Sequence, residues 1–364
     1  MTSPFDPLSF RCGLRAKNRL ALAPLTNQQS HDDGTLGYDE FAFLERRARG
    51  GFGMIETCAA QVHAEGRTFE GQLGIDSDDQ LPGLTRLAGA LSAQGALGVV
   101  QLQHGGARAL PHLTGTTPVA PSAVARDGAG APRALETAEV EALEEAFVRA
   151  AVRAHRAGFE GVELHAAHGY LLSQFLSRTQ NVRDDAFGGS LENRARLLRG
   201  IARRIRQALP AAFFLGVRIS PEDVGAARGL DLDDSLQVAR WLADDGVDAL
   251  HLSLWDFRRN TAKRPTEHPV PLFRKALSSE VRIIAAGSVW TRAEVESLLS
   301  LGADAVAVGK AAILDPDWAR RIEDPAFVPE RGPLSRAALS AAAVGPAFQD
   351  YLAARFEGMV QGGR

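Results

Sequence analysis

The chain has 364 residues, 45% of them hydrophobic and 23% charged, which is the composition of a folded globular protein and excludes disordered and fibrous classes. Its 41 basic and 44 acidic residues give a net charge of -3, which offers no broad basic surface, so we expect no nucleic-acid partner. Cys12 and Cys58 are too few and too far apart to build a zinc site, an iron–sulfur cluster or a disulfide framework.

The sequence also bears on the compartment. No uncharged apolar run is long enough to span a bilayer, and the stretch Met1–Asp6 lacks the basic and apolar regions of a signal peptide. The scarcity of cysteine fits a reducing environment. We therefore expect a cytoplasmic protein without a membrane partner.

Eight short apolar segments alternate with longer helical patterns between Leu20 and Ala319, without a flexible linker among them. Several are apolar at every position, which is typical of strands buried on both faces of a sheet. The candidate strands are 20–24, 53–59, 98–103, 161–165, 213–220, 249–254, 282–286 and 305–309. Because parallel strands joined by helical crossovers bury their edges only on closure, this pattern predicts one (β/α)8 TIM-barrel domain.

Three of the intervening helices are indicated by apolar residues at helical spacing and by capping residues. Their residues are Val140, Leu143, Phe147, Ala151 and Ala154 before Gly158; Leu198, Ile201, Ile205 and Leu209 between Ser190 and Pro210; and Val295, Leu298 and Leu299 between Thr291 and Gly302. Thr291 and Glu294 form a capping-box pattern, and Gly302 suits a helix C terminus. The helices thus separate the strands as a barrel requires.

Residues 104–136 form an insertion after the third strand. They are rich in Gly, Pro, Ala and Thr, and they exceed the roughly 2 to 6 residues that usually join a strand to a helix. Because the insertion lies on the side of the barrel where strands end, we expect a lid or a subunit contact instead of a merely tolerated loop.

A tail at 326–364 follows the predicted barrel at 1–325. Its apolar residues suggest a short amphipathic helix, namely Phe348, Tyr351, Leu352 and Phe356. Such a helix must dock on the barrel or on a neighbouring subunit, which leaves homo-oligomerisation open.

The stretch Glu163 to Tyr170 joins a strand end to two imidazoles and a phenol, at the position where barrel enzymes keep their chemistry. His165 and His168 can together donate hydrogen bonds to an oxygen that gains negative charge. The Tyr170 phenol can donate a proton to a carbanion-like carbon. From this stretch alone, two structural histidines and a packed tyrosine are an equal alternative. The spacing lacks a helical His-Glu-x-x-His pattern, so we expect no metal site.

The last two candidate strands end in glycine-containing turns. Gly287 with Ser288 and Gly309 with Lys310 would let backbone N–H groups and a lysine approach a phosphate. Either glycine alone would fit a simple turn, but two such turns with a lysine favour a phosphate site.

Two polar residues lie within otherwise apolar strands. An unpaired buried guanidinium is costly, so Arg218 should meet an acid or an electron-rich ligand. Gln101 has the donor and the acceptor that an imide edge needs, although a core amide bonded to backbone fits nearly as well.

These motifs resemble the old yellow enzyme family of FMN-dependent NAD(P)H oxidoreductases, which are (β/α)8 barrels. The resemblance covers nearly the whole chain, and its most specific part is the block His165–Tyr170 followed by the block Gly188–Arg194. The other matching segments are Lys17–Arg19, Ala23–Pro24, Glu65–Arg67, Leu73–Ile75, Gln101–His104, Pro118–Ser122, Asn181–Arg183 and the Gly287 and Gly309 turns.

The resemblance implies a role for each candidate residue toward FMN. The residues that would border the flavin ring are Pro24, Leu25, Thr26 and Ala59. The Thr26 hydroxyl would lie near flavin O4. Gln101 would bind the pyrimidine edge, and Arg218 would stabilise the negative charge of reduced flavin around N1. The phosphate would be held by Gly287, Ser288, Gly309 and Lys310.

The resemblance also implies the reaction. NADPH or NADH would reduce the flavin, and the substrate would be an enone, an enal or a related electron-poor alkene. His165 and His168 would bind the carbonyl oxygen of the substrate, flavin N5 would deliver hydride to the β-carbon, and Tyr170 would protonate the α-carbon.

Some positions depart from the family pattern. Lys310 stands where arginine is common, so a point charge replaces a bidentate fork. Thr26 replaces a cysteine of one branch, which removes a thiol-based redox control. Asn27, Gln28 and Gln29 occupy a stretch where an aromatic residue often lines the substrate side, and we expect Trp255 and Phe257 after the sixth strand to substitute for it.

Two other functions stay open at this point. A redox-silent barrel of the aldolase or isomerase type could use the same phosphate turns. A family relative acting on amines or dienoyl thioesters fits less well, because those relatives carry an iron–sulfur cluster and this chain lacks the cysteines for one.

Overall fold

Eight parallel strands close into a barrel in the computed structural model, which describes residues 2–125 and 130–363. We number these strands β1 (Leu20–Leu22), β2 (Met54–Glu56), β3 (Leu97–Gln103), β4 (Gly161–Ala166), β5 (Phe214–Ile219), β6 (Ala249–Ser253), β7 (Arg282–Ala286) and β8 (Ala305–Val308). Each strand pairs in parallel with the next, and β8 pairs with β1 through Val306 and Leu20. The closed barrel confirms the predicted (β/α)8 architecture.

Helices on the outer face of the barrel alternate with the strands in the described part of the chain. They are α1 (Tyr38–Arg49), α2 (Leu81–Ala93), α3 (Thr137–Arg156), α4 (Arg196–Ala208), α5 (Leu232–Asp244), α6 (Pro269–Ala276), α7 (Arg292–Ser300) and α8 (Lys310–Leu314). The apolar stripe predicted for α3 is buried against the barrel. The predicted capping box begins α7, where Thr291 Oγ1 accepts the Glu294 N–H at 3.3 Å and Glu294 Oε2 accepts the Thr291 N–H at 2.9 Å.

The helix predicted to begin at Ser190 is interrupted. Ser190 caps a short helix at Leu191–Arg194, and α4 starts two residues later. The predicted apolar residues Leu198, Ile201 and Ile205 are nevertheless buried on α4. The sequence therefore identified the buried face of the helix but not its first residue.

Two strands end more than one residue earlier than the sequence predicts. β1 ends at Leu22, because Pro24 has no N–H to donate to a sheet. β2 ends at Glu56 instead of Ala59. The other predicted strands agree within about one residue at each end. The residues excluded from the strands enter the loops at the carboxyl end of the barrel.

Every second residue of a strand points into the barrel. Toward the amino ends these inner residues are apolar and form one cluster, with Met54, Val99, Phe214, Ala249 and Ile284. An antiparallel hairpin of Leu8–Ser9 and Arg15–Ala16 packs at that end, and the Phe10 ring lies 4.9 Å from the Phe214 ring. Closer to the carboxyl ends the inner residues become polar, which positions the chemistry at one end of the barrel.

The insertion between β3 and α3 carries structure of its own. It contains a short helix at Pro111–Thr114 and a pair of two-residue strands at Val119–Ala120 and Arg133–Ala134. Arg183 from the β4–α4 connection donates a hydrogen bond to a carbonyl of the insertion at 2.9 Å. Residues 126–129 of the predicted lid or subunit contact lie outside the described part, and that prediction stays open.

The segment after residue 325 returns to the carboxyl end of the barrel. It contains α9 (Arg336–Ala341) and α10 (Pro346–Arg355). Phe348 of α10 is 1% exposed, and its ring lies 5.4 Å from that of Phe43 in α1. A helix at this position was predicted, whereas the division into two units at residue 325 stays a prediction.

Candidate active site

A cavity of about 630 Å³ opens at the carboxyl ends of the barrel strands. Apart from Phe257, every residue that the sequence suggested for cofactor or substrate binding lies on its wall. These residues are Pro24, Leu25, Thr26, Ala59, Gln101, His165, His168, Tyr170, Arg218, Trp255, Gly287, Ser288, Gly309 and Lys310. The barrel thus brings together residues from all eight of its strand ends and the loops after them.

The charge of the cavity wall is one-sided. Three cationic side chains line it, Arg108, Arg218 and Lys310, and no aspartate or glutamate lines it among residues 2–125 and 130–363. Positive charge focused in a concave site attracts anions. The cavity therefore suits a negatively charged ligand.

His165 and His168 face one another at the end of β4. His165 Nδ1 accepts the Ala167 N–H at 3.3 Å, so the His165 proton lies on Nε2. His165 Nε2 and His168 Nδ1 are 3.2 Å apart, and His168 Nε2 lies 2.6 Å from Ser253 Oγ. Burial lowers the pKa of both imidazoles well below 6.5, so both rings are neutral near pH 7. In this structure the Nε2 proton of His165 therefore points at His168 Nδ1, and a ligand oxygen would have to replace this contact to accept hydrogen bonds from both rings.

Tyr170 stands beside this histidine pair. Its ring lies 5.0 Å from the His165 ring, and the Arg108 guanidinium lies 4.3 Å from the Tyr170 ring centroid. Arg108 also donates a hydrogen bond to the His168 carbonyl at 2.6 Å. Sequence reasoning missed Arg108, because it belongs to the long insertion and no local pattern indicates which side chain of that insertion reaches the site.

A buried polar cluster lies beneath the cavity. Glu163 accepts hydrogen bonds from Gln101 Nε2 at 2.7 Å and pairs with His251 Nδ1 at 2.8 Å, which leaves the Gln101 carbonyl oxygen for a ligand. Glu56 lies nearby, with Oε1 3.5 Å from His251 Nδ1. Burial and the Glu163 charge together raise the pKa of Glu56 to about 7. Sequence reasoning did not assign a role to Glu56, Glu163 or His251.

Arg218 enters the cavity from β5. It is 7% exposed, and its Nε has no hydrogen-bond partner among the described residues. Its Nη2 reaches only Ser253 Oγ, at 3.4 Å. Burial lowers the pKa of Arg218 and the Glu163 charge opposes that shift. The guanidinium thus retains donors for an electron-rich ligand, as the sequence suggested.

The glycine turns after β7 and β8 need glycine for close packing. A Cβ on Gly287 would lie 2.8 Å from the Phe257 nitrogen, and one on Gly309 would lie 3.2 Å from Leu25 Cδ2. Lys310 follows the second turn and forms no ion pair within the described residues. Its ammonium lies 5.2 Å from the Phe356 ring, so its charge is available to an anion.

Strained backbone surrounds the cavity. His168, Trp255 and Ser288 line it and have left-handed backbone, with φ of 59°, 62° and 56°. Residues held in this region cost energy and cluster at functional sites. The Ser288 hydroxyl donates to the Trp255 carbonyl at 3.1 Å, which joins two of these strained turns.

Of the two aromatic residues expected on the substrate side, only one lines the cavity. Trp255 lines the cavity and is 63% exposed. Phe257 is 7% exposed and does not line the cavity, because its N–H donates to the Gly287 carbonyl at 3.0 Å and its ring packs in the core. The prediction was therefore wrong for Phe257. Asn27 is also buried, at 1% exposure, and does not reach the cavity wall.

The tail supplies further aromatic residues to the cavity. Phe348, Tyr351 and Phe356 all line it. Burial and the neighbouring Tyr170 raise the pKa of Tyr351. The sequence predicted the helix that carries these residues, but their periodicity could not indicate which surface the helix covers.

A closed barrel with a cationic cavity at the carboxyl ends of its strands is the arrangement of a (β/α)8 enzyme. The profile described as the NADH:flavin oxidoreductase / NADH oxidase family matches residues 4–326. The chain belongs to this family. The old yellow enzyme resemblance noted in the sequence is thereby confirmed.

Individual relatives agree with this assignment. The chain is 40% identical to the NADH:fumarate oxidoreductase of Klebsiella pneumoniae, across 87% of this chain and 35% of that protein. It is 36% identical to the probable NADH-dependent flavin oxidoreductase YqiG of Bacillus subtilis, across 88% of this chain and 87% of that protein. The chain thus spans about a third of the first relative and most of the second.

Two solved structures share the whole barrel. Morphinone reductase matches with a TM-score of 0.82 and 28% identity, across 96% of both chains. The old yellow enzyme homologue from Zymomonas mobilis matches with a TM-score of 0.80 and 29% identity, across 90% of this chain and 94% of that one. The fold and the family together identify an FMN-dependent NAD(P)H oxidoreductase, which excludes the redox-silent alternative.

The residues of the cavity fit FMN. Its wall has an apolar side, an arginine with unpaired donors and a free lysine beside two glycine turns, while no described acid lines it to repel a phosphate.

Within residues 2–125 and 130–363, none of the helices has the length and apolarity that crossing a membrane requires.

Proposed function

We propose that the chain reduces the C=C bond of α,β-unsaturated carbonyl compounds with electrons from NAD(P)H. The observation that carries this proposal is the convergence of His165 Nε2 and His168 Nδ1, 3.2 Å apart, beside the Tyr170 ring. A carbonyl oxygen bound there would be polarised while a phenol stands ready for the neighbouring carbon.

The chain would hold FMN with residues from several strand ends. Lys310 and the glycine turns would bind the phosphate, Gln101 would bind the pyrimidine edge, and Arg218 would face the N1 side. The ring would lie against an apolar wall made of Pro24, Leu25, Ala59 and the Thr26 methyl group. When bound, FMN supplies two-electron transfer between NAD(P)H and the alkene.

The histidine pair would act as two neutral donors. His165 already carries its proton on Nε2, because the Ala167 N–H occupies Nδ1. His168 can donate from Nδ1 when its Nε2 accepts a hydrogen bond from the Ser253 hydroxyl. A carbonyl oxygen that replaces the contact between the two rings would then accept both protons as it gains charge, which would lower the barrier without prior ionisation of either ring.

Tyr170 would supply the proton that completes the reduction. The reduced alkene needs one hydride and one proton, on adjacent carbons. Since the histidine pair fixes the carbonyl oxygen, the α-carbon is one bond from the carbonyl carbon and within reach of a neighbouring phenol.

The names of two relatives specify unsaturated acids. One is the NADH:fumarate oxidoreductase of Klebsiella pneumoniae and the other the NADH:acrylate oxidoreductase of Vibrio harveyi, of which this chain spans 35% and 33%. Activity of those longer proteins toward their acids can reside outside the region matched here. They support an electron-poor alkene as the substrate class and do not select one compound.

The visible spectrum tests the proposal. We expect a yellow protein whose flavin absorption bleaches when NADPH is added anaerobically and returns when cyclohexenone follows. Bleaching without recovery, for cyclohexenone and for an enal, would refute alkene reduction while leaving the flavin oxidoreductase assignment intact.

We also propose a cellular location and a state of assembly. Both cysteines are free thiols in the structure, which agrees with the cytoplasmic location expected from composition. A homo-oligomer built on the insertion or the tail is a proposal that size-exclusion chromatography with light scattering would test.

A further inference from the structure

Arg108 lines the cavity, and the reaction proposed above gives it no role in substrate binding. It follows β3 in the insertion, and its guanidinium lies over the Tyr170 ring at 4.3 Å. One nitrogen, Nη1, donates to the His168 carbonyl at 2.6 Å. These two contacts fix the guanidinium beside the proton donor and the histidine pair.

The charges of the cavity leave Arg108 without a counterion. Arg218 lies close enough to Glu163 for that carboxylate to oppose the fall in its pKa. Lys310 stands at the glycine turns, where the phosphate of FMN would neutralise it. Among the described residues no acidic side chain pairs with Arg108, and its Nε and Nη2 make no hydrogen bond. A guanidinium in a partly enclosed site with free donors is suited to bind a carboxylate.

We propose that Arg108 selects alkenes that carry a carboxylate in addition to the activating carbonyl group. The proposal rests on the function proposed above and narrows its substrate class. The carbonyl oxygen would lie between His165 and His168, and the carboxylate would accept hydrogen bonds from Arg108 Nε and Nη2.

The position of Arg108 indicates where the carboxylate would be attached. Because the guanidinium lies against the Tyr170 ring, an anion bound to it would lie near the carbon that receives the proton from Tyr170. The reaction itself is unchanged, since one hydride and one proton add across the double bond and Arg108 transfers neither. Arg108 would therefore act in binding and orientation.

Matched phenols provide the direct test, because a phenol oxygen can occupy the histidine pair without being reduced. The probes are 3- and 4-hydroxybenzoate and the two corresponding hydroxybenzamides, titrated by calorimetry into the FMN-loaded protein. Arg108→Met should weaken the hydroxybenzoate that binds best by about 10- to 100-fold, since a hydrogen-bonded charge pair is lost. Its affinity for the matched amide should stay within about twofold.

Two other variants sharpen the test. Arg108→Lys retains the charge and should recover part of the lost affinity for the hydroxybenzoate. Arg133→Met removes an equal charge from the same insertion, at a side chain that pairs with Glu139 outside the cavity, and should leave all affinities unchanged. Equal losses for benzoate and benzamide in Arg108→Met would overturn the proposal, because they would show a role in shaping the pocket only.

A phosphate group of NADPH is the other anion that Arg108 could bind. If Arg108 binds the 2′-phosphate of NADPH instead, Arg108→Met will slow flavin reduction by NADPH but not by NADH and will leave the benzoate affinity unchanged. That result would also overturn the proposal. Failure of the proposed function itself would give a different result. In that case cyclohexenone would not reoxidise the reduced flavin of the protein without any substitution.

Discussion

Tyr170 is the side chain whose predicted role is simplest to isolate, since replacement by phenylalanine removes one hydroxyl and keeps the ring that packs near His165. We expect Tyr170→Phe to slow alkene reduction by about 10²- to 10⁴-fold, because a positioned general acid contributes on that scale. Reduction of the flavin by NADPH should be nearly unchanged. Anaerobic stopped-flow measurement of the two half-reactions checks both expectations.

Tyr351→Phe is a matched control for Tyr170. It removes the other tyrosine hydroxyl of the cavity wall, which belongs to the tail and faces Thr26. The alkene half-reaction should remain close to that of the unaltered chain. Equal slowing of both half-reactions in Tyr170→Phe would contradict the assignment of Tyr170 as the proton donor.

Ser253 is expected to act through His168. Its Oγ lies 2.6 Å from His168 Nε2, and the histidine can present an Nδ1 proton to a ligand only if the hydroxyl donates to Nε2. Ser253→Ala should therefore weaken binding of a neutral phenol by roughly 5- to 10-fold, the cost of losing one hydrogen bond. Titration of the FMN-loaded protein measures this affinity.

A double-mutant cycle separates positioning from direct contact. In a His168→Ala background, Ser253→Ala should have almost no further effect on phenol affinity, because the residue on which it acts is gone. Additive losses would show that Ser253 contacts the ligand directly or acts through Arg218, whose Nη2 lies 3.4 Å away.

The sequence indicated some site residues and not others for a physical reason. His165, His168 and Tyr170 were predictable because they lie close together in the chain at a strand end, where barrels place their chemistry. Ser253 and Arg108 were not, because their importance depends on which loop or strand faces them across the barrel. Spacing along a chain carries no information about such contacts.

Elements with a strong period were predicted well. α3 and α7 have the predicted buried faces, and the eight strands occur in the predicted order. β1 and β2 were predicted to extend too far at their carboxyl ends, because apolar residues continue into loops that are also buried. Phe257 was misplaced for the same reason, since burial in a loop and contact with a ligand have the same apolar signature.

Docking of α10 on the barrel gives a prediction for this element. Phe348 is 1% exposed and contacts the Phe43 ring, so Phe348→Ala should reduce the free energy of unfolding by about 3 to 5 kcal/mol. Because Phe348 also lines the cavity, FMN should bind more weakly. Urea denaturation and flavin fluorescence titration measure the two effects.

The control for Phe348 lies on the helix that it contacts. Tyr38 of α1 is 77% exposed, and Tyr38→Ala should change the free energy of unfolding by no more than about 0.5 kcal/mol. A loss below about 1 kcal/mol in Phe348→Ala would mean that α10 does not pack on the barrel in solution.

Closure of the whole barrel buries charges that no single element could bring together. Glu56 comes from β2, Glu163 from β4 and His251 from β6, and all three are at most 2% exposed. Burial lowers the pKa of His251, but the Glu163 charge outweighs it and the net shift is upward. Burial raises the pKa of Glu163, but His251 outweighs it and the net shift is downward. The two therefore form the closer ion pair, and the carboxylate oxygens of Glu56 next to it have no hydrogen-bond partner among the described residues.

Glu56 makes the stability of the barrel depend on pH. Its pKa rises from 4.5 in the unfolded chain to about 7 in the fold, because burial and the Glu163 charge disfavour its ionised form. Below pH 4.5 both states are protonated and Glu56 causes no penalty. Between these values the unfolded chain releases the proton and the folded chain keeps it, so stability falls as pH rises. Above pH 7 the penalty is complete, at roughly 3 kcal/mol.

Glu56→Gln should remove this penalty. The quantity to follow is the free energy of unfolding of the variant minus that of the unaltered chain. This difference should increase from pH 5 to pH 8, by up to about 3 kcal/mol. Urea denaturation at several pH values, with FMN saturating throughout, measures the trend, since bound ligand itself adds stability.

Glu141→Gln, at an exposed position on α3, is the control and should show no such trend. A Glu56→Gln difference that stays flat from pH 5 to pH 8 would mean that Glu56 is already ionised in the fold at pH 5, with a counter-charge that the buried cluster of Glu163 and His251 does not provide.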